Sequence, residues 1–495
     1  MHRLTKSKFI SGLRCSKKLW LDVHDREPYV EAEPGSVLDI GNRVGRFAHG
    51  LCPGGVEIEA APWEYKRAVA DTRELMADPT VPAIFEAAFE HDNIHIRVDI
   101  LERLEDGAWG LREVKASLSV KEESKHCDDL AVQLYVLRGS GLAVSSAELI
   151  HIDRAYVHDG GDIDPVQFLR REELIVDINE RLVYVGPEVA SQHEVLARDA
   201  APEVYPFKAM CTKPWKCDHW KRCTADKPDD WISILPRITR RQMESLIDQG
   251  VESIRAIPDD FHLNGMQQTS REVITTGEPY VSEDLGESLR DLGPPAFYLD
   301  FETFAPMIPI YPGTAPHEQI PFQWSIHYCD GAKEPRHWEY LASGHDDPRR
   351  ELAERMIEIL GDSDTPILAY NMTFERGIIQ DLARLLPDLA EPLEQLIGRL
   401  GDPLPIVRTY TYFPGYKGSF SLKTVGPTLT SDLEYGQDDG IAAGNEASTA
   451  FWRIVNHDYI DGEDEEGLRQ RLLDYCKLDT EMLRRIHQRL IELAN

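Results

Sequence analysis

What the chain lacks narrows it first. No apolar run approaches the roughly 18 residues needed to cross a bilayer. The opening MHRLTKSKFISGL has no apolar signal-peptide core. A cytoplasmic protein with no membrane partner is therefore expected. Cysteine is sparse, at eight in 495 residues, and without a secretion signal such thiols are read as reduced side chains or metal ligands, not a disulfide framework. No repeat or low-complexity tract interrupts the chain, which leaves ordinary globular domains. Cations are also short: 54 Lys and Arg against 86 Asp and Glu give a formal charge of −32. That excess repels a phosphate backbone unless basic side chains are gathered locally.

They are gathered. Residues 1–20 hold Arg3, Lys6, Lys8, Arg14, Lys17 and Lys18 with no acid. Residues 205–227 hold six Lys or Arg against two Asp, and residues 403–431 hold Arg408, Lys417 and Lys423 with no acid. The last stretch also carries Tyr410, Tyr412, Phe413, Tyr416 and Phe420. Basic residues among aromatics suit a groove that neutralises phosphates while unpaired bases stack on rings; a Tyr-rich hairpin packed on a core reads equally well from these residues alone. At several times the roughly 100–150 residues of a common domain, the chain is expected to form two or three cores. Boundaries fall near Cys223 and near the Gly-Pro-Pro turn at 293–295. Between them, ITRRQMESLIDQGVESIRAIP reads as a helix, a turn at Gly250 and a second short helix. Either a phosphate-binding helix-hairpin-helix or a plain spacer fits it.

In the first part, NIHIRVDILERL and WGLREVKAS alternate like strands around the turn EDGA, a β-hairpin over 93–117. Asp99 lies late in its first strand, and Glu113 and Lys115 share a face of the second. Two carboxylates and an ammonium in this order can hold a divalent ion against a phosphate and assist the attacking water. HCDDLAVQLYVLRG reads as a helix that brings Gln133 and Tyr135 near the hairpin, and GRFAH places His49 four residues after Gly45. The set resembles the PD-(D/E)XK pattern of RecB-type nucleases, with a Gly-x3-His element whose histidine would be a further metal ligand. The trailing Gln-x3-Tyr spacing of those enzymes is not reproduced. Cys211, Cys217 and Cys223 lie six apart, and Cys15 stands far upstream in GLRCSKKLW. Four thiolates suit a 4Fe-4S cluster or a structural zinc, with His219 as a substitute ligand. One early Cys joined to three late ones resembles the iron-sulfur staple of AddB-type and CRISPR-adaptation nucleases, although the intervals differ. The other four cysteines read as ordinary buried residues.

In the last part, PPAFYLDFETF is an apolar strand broken by Asp300 and Glu302 at alternate positions. Buried acids need partners or metal ions. PILAYNMTFERGIIQDLARLL reads as strand, turn and helix with Asn371, Phe374 and Glu375 at the turn, and LLDYCKLDTEMLRRIHQRL is a helix with Tyr475 and Asp479 one turn apart. The order D-x-E, N-x-x-F-E, Y-x3-D resembles the DnaQ-like DEDDy exonucleases, with Glu375 where Asp is usual and Asp402 as a possible substitute. That resemblance implies that Asp300 bridges two Mg or Mn ions, that Glu302 and Asp479 bind the first and Glu375 the second, and that Tyr475 orients the water. Together the parts resemble a bacterial family in which a RecB-like iron-sulfur nuclease (1–225) is fused through a helical linker (226–294) to a DnaQ-like 3′-5′ exonuclease (295–495). The implied architecture is a multidomain α/β protein: a PD-(D/E)XK fold, a helical, helix-hairpin-helix-like segment and an RNase H-like fold. The implied partner is nucleic acid, DNA with a single-stranded 3′ end, with RNA 3′ ends as the rival substrate. A catalytically silent half acting as a clamp is the rival role.

Overall fold

The computed structural model describes residues 2–25, 32–121, 125–331, 333–430, 433, 441 and 443–495. Met1 and Ser431, the outer ends of two basic stretches, lie outside them. Within this range the protein is mixed α/β and separates into two compact units, Met1–Ala225 with Pro306–Glu318, and Asp226–Ala305 with Gln319–Asn495. The segment expected as a linker clusters with the second unit. No helix among the described residues is long and apolar enough to cross a membrane.

The first unit opens with α1 (Lys6–Arg14) and α2 (Ser16–His24), which meet at Cys15 in extended conformation, then α3 (Val37–His49), capped by Ser36. Five longer strands follow: β1 (Ala83–His91), β2 (Ile94–Arg103), β3 (Trp109–Lys115), β4 (Val144–Ile152) and β5 (Leu169–Glu173). They neighbour one another in sequence order, with Val56–Glu57 beside β1 and Leu4–Thr5 pairing with β2 to complete a seven-stranded sheet. β1, β2 and β3 form an antiparallel meander, whereas β3 and β4 run parallel. A parallel pair requires a crossover, and α4 (His126–Gly139) supplies it. This helix is buried on nearly every side, so its polar members Asp128, Asp129 and Gln133 must find partners inside the unit. The long helix α5 (Ile175–Leu196) packs on α4 and α2.

The second unit begins with α6 (Arg240–Asp248) and α7 (Gly265–Thr276), each started by a capping box, Thr239 with Gln242 and Asn264 with Gln267. The short second helix expected after Gly250 is instead one 3-10 turn, Ile254–Ala256. Pro258 has no N–H to continue a helix and pushes the residue before it to extended backbone.

Five strands form the second sheet: β6 (Ala296–Phe304), β7 (Ile320–Cys329), β8 (Arg336–Leu341), β9 (Ile367–Leu368) and β10 (Leu400–Gly401), in the order β8-β7-β6-β9-β10. β6 is central, antiparallel to β7 and parallel to β9. Its alternation sorts the two faces. Phe297, Leu299 and Phe301 enter the core with α8 (Arg349–Leu360) and α9 (Thr373–Leu385). Tyr298, Asp300 and Glu302 take the other face. There α10 (Pro403–Tyr410), α11 (Leu422–Leu429) and α12 (Gly444–Asn456) precede the closing helix α13 (Glu465–Ala494). A buried polar belt fixes α13 across β6 and β7: Gln323 Nε2 donates to Leu472 O at 2.8 Å, Ser325 Oγ meets Thr480 Oγ1 at 2.7 Å, and Tyr298 OH meets His487 Nδ1 at 3.0 Å.

Candidate active sites

In the first unit, β2, β3 and α4 bring the expected residues together. Lys115 Nζ lies 2.5 Å from Glu113 Oε1, and Gln133 Nε2 donates to Glu113 Oε2 at 2.7 Å. The Val114 amide donates to Asp99 Oδ2 at 2.7 Å. Two further residues complete the cluster. Asp129, one helical turn before Gln133, accepts from Lys115 at 2.7 Å. Lys6 of α1 reaches both oxygens of Glu113, at 2.8 and 2.9 Å, and lies 3.8 Å from Asp99 and 3.9 Å from Asp129.

Charge decides how these groups ionise. Burial opposes every charge here, but Lys115 and Lys6 hold Glu113 far below the usual carboxylate range. Asp129, Glu113 and Asp99 in turn overcome burial to keep Lys6 protonated. Asp99 gains less from the lysines and is pushed up to about 7, first by burial and then by Glu113. The lysine at the centre of three acids occupies the electrostatic place of a cation, so the donor set fits a divalent ion.

His49, Lys6, Asp99, Glu113, Lys115 and Asp129 line one cavity of about 1020 Å³. His49 stacks on Phe85 with ring centroids 3.9 Å apart, and burial lowers its pKa, leaving a neutral imidazole able to ligate. Glu86 also lines it. Its left-handed φ of 57° breaks the β1–β2 ladder between Phe85↔Ile100 and Ala87↔Val98, opposite Asp99. An acid inside the apolar run AIFEAAF was the signal that could have found it. Tyr135 does not join the site: its ring lies tilted against His91, with centroids 5.4 Å apart, and its hydroxyl bonds to Asp92.

Cys15, Cys211, Cys217 and Cys223 line one small cavity together with Arg14, Lys17 and Lys18. Arg14 Nη2 donates to Met210 O, Lys213 O and Trp215 O, which ties α1 to the loop between the cysteines. Burial and then the neighbouring sulfurs push Cys211 up to about 11. Among the described residues no three of these sulfurs fall within 4.8 Å of one another. His219 lines the same space, and its Nε2 meets Asp22 Oδ1 at 2.7 Å.

The second unit gathers Asp300 and Glu302 from β6, Glu375 from the first turn of α9, and Tyr475 and Asp479 from α13. Glu302, Glu375 and Asp479 are buried. Burial and then Asp479, Glu302 and Glu375 raise Asp300 well above the carboxylate range. Burial and Asp479 do the same to Glu302. Glu375 is pushed up to about 8 by burial, with a smaller push from Asp402, and its Oε2 is buried without a hydrogen-bond partner among the described residues. Buried carboxylates whose pKa values are raised in this way are what divalent ions relieve.

Cys476, the residue after Tyr475 on α13 and expected to be an ordinary buried residue, sits within the cluster. One ligand atom each from Asp300, Glu302 and Cys476 lie within 4.8 Å of one another. Burial and the acids raise its thiol pKa, so it donates an S–H toward Asp300 Oδ2 at 3.7 Å. Lys423 Nζ donates to the Tyr475 hydroxyl at 2.8 Å, and that hydroxyl bonds Asp479. Asp402 acts as a cap: its carboxylate accepts from the Asn371, Met372 and Leu404 amides. Glu375, not Asp402, is among the acids whose charge raises Asp300.

A family model described as a domain of unknown function, DUF2779, matches residues 297–421. That span includes Asp300, Glu302 and Glu375 and ends before Tyr475 and Asp479. No curated protein matches the chain.

Proposed function

We propose that the protein is a metal-dependent nuclease with two phosphodiester-hydrolysing sites, a PD-(D/E)XK site in the first unit and a DEDDy 3′-5′ exonuclease site on an RNase H-like fold in the second. The observation that carries this reading is the convergence of Asp300, Glu302, Glu375, Tyr475 and Asp479 from three separated segments into one buried cluster. Burial and the neighbouring acids raise Asp300 and Glu302 well above the carboxylate range, burial pushes Glu375 up to about 8, and divalent ions would relieve such a cluster. A divalent pair, Mg or Mn, held by these carboxylates would supply activation of water and stabilisation of the leaving 3′ oxygen.

The chain's own groups then have definite tasks. Tyr475, kept protonated by burial and the neighbouring acids and held by Lys423, orients the attacking water. Lys423 also offsets charge beside Glu302. In the first site Lys115 stays protonated against Glu113 and Asp129 and faces the developing charge. Gln133 fixes the Glu113 carboxylate. The four cysteines hold a 4Fe-4S cluster whose role is structural, since it joins the start of the unit to its end.

End-labelled single-stranded DNA, with matched RNA, tests the reading in magnesium and in manganese. Asp300→Asn should abolish stepwise loss of 3′ nucleotides while leaving any Lys115-dependent cleavage, and Lys115→Ala should do the reverse, each by about a hundredfold or more. Full activity in both variants would sink the proposal. Loss in one variant alone would make the other unit a binding clamp, and faster RNA digestion would change the substrate.

A further inference from the structure

We infer that the segment between the two motif-bearing regions builds one wall of the second site, and that Arg237 within it binds a backbone phosphate of the incoming single strand. The inference rests on the reading that this site trims 3′ ends. A cavity of about 560 Å³ is lined by Arg237, Arg408, Lys423, Phe420 and Asn371, and reaches Asp479. Asp479 is the one acid among its described lining residues. In a chain with a formal charge of −32, three cations around one cavity beside a carboxylate cluster is the charge pattern a phosphodiester requires.

The backbone at Arg237 strengthens the case. Its φ is 52°, the left-handed region, which is strained for a non-glycine residue. Such strain persists where the surroundings enforce it, and it concentrates at ligand sites. Two contacts enforce it here. Gln267, buried in the capping box of α7, donates from Nε2 to Pro236 O at 3.2 Å. Gly418, at φ 76°, lets the aromatic-basic loop press on the preceding turn: a Cβ there would stand 1.8 Å from Ile234 O. The clamped turn holds Arg237 at the cavity, although its side chain is exposed and makes no hydrogen bond or ion pair among the described residues. Arg408, also without an ion pair there, lies over the Phe420 ring at 5.8 Å. Guanidinium groups for phosphates and an aromatic face for a base are the elements of a single-strand groove.

The probe is a 5′-fluorescein oligothymidylate, whose binding is read by anisotropy across a salt series in EDTA, where neither site turns over. Arg237→Gln should weaken binding about tenfold at low salt and lower the slope of log affinity against log salt by about 0.7, one single-strand phosphate contact. Arg237→Lys should recover most of the slope. Arg237→Gly should lose affinity equally while raising Tm, because it relieves the left-handed strain. Unchanged affinity and slope in Arg237→Gln, or no measurable binding by the parent protein, overturns the inference. Loss of 3′ nucleotides in magnesium that persists in Asp300→Asn overturns the exonuclease reading instead, whatever the Arg237 variants do.

Discussion

Replacing Glu375 with Gln isolates the energetic cost of the second carboxylate cluster. Burial raises Glu375 from an ordinary 4.5 to about 8. A folded-state pKa above the unfolded one means the folded protein holds the proton more tightly. The associated stability is complete below about pH 4.5 and is lost as pH climbs toward 8. At about 1.4 kcal/mol per pH unit across that span, the effect has a ceiling near ~5 kcal/mol. Relaxation and water entry reduce it to roughly 2–4 kcal/mol. The Gln variant removes the ionisation, so in EDTA at pH 8 it should be the more stable protein. A domain of this size gains about 2–4 °C in Tm per kcal/mol. Calorimetry from about pH 5 to 8 reads both effects: the parent's second-unit Tm should fall with pH, and E375Q should fall less, since Asp300 and Glu302 still titrate in the same direction. Manganese should reverse the ranking, because ligand binding stabilises by about 2.7 kcal/mol at a hundred times Kd and the variant binds less well. A parent Tm that is flat with pH, or an E375Q protein less stable at pH 8 in EDTA, would refute the reasoning.

Cys211→Ser should abolish visible absorbance and bound iron after anaerobic purification and lower the Tm of the first unit while leaving the second unchanged. Zinc in place of iron would select the other metal, and unchanged metal content and Tm would remove the cysteines from any such role. Lys6→Ala leaves Glu113, Asp99 and Asp129 short of a buried cation. Metal-free stability should fall by about 3 kcal/mol, and manganese should restore much of it. A loss that manganese does not touch would mean that Lys6 and a divalent ion do not share a place.

The two acids on β6 were legible because they interrupt an otherwise apolar strand at positions of equal parity, and Tyr475 and Asp479 because one helical turn separates them. Those signals are local. Lys6 and Asp129 were anonymous in a basic leader and at a helix start, and acquire meaning once α1 and α4 close over β3. Gln133 and Tyr135, two apart on a helix, point about 200° away from each other, so one faces Glu113 and the other cannot. Arg237 is less legible still. What marks it is a backbone angle and the approach of a loop nearly two hundred residues later in the chain, and neither leaves a periodic trace in the sequence.

On the proposed reading, an acidic chain that acts on a polyanion must neutralise its own site before the substrate can enter, and the two units would meet this demand differently. The first carries two lysines among its acids, so Glu113 stays ionised and the cluster is close to balanced without added ions. The second has Lys423 beside Tyr475 and Glu302, with four carboxylates whose pKa values rise wherever a shift is resolved. Without metal, Asp300, Glu302 and Glu375 therefore hold their protons more tightly than ordinary carboxylates do. Divalent binding there must expel protons as well as fill a site, which makes affinity rise with pH. At the first site the ammonium of Lys6 lies among Asp99, Glu113 and Asp129, and a divalent ion that displaced it would free that charge for a phosphate. Binding of the ion would thereby turn an internal counter-charge into a substrate contact.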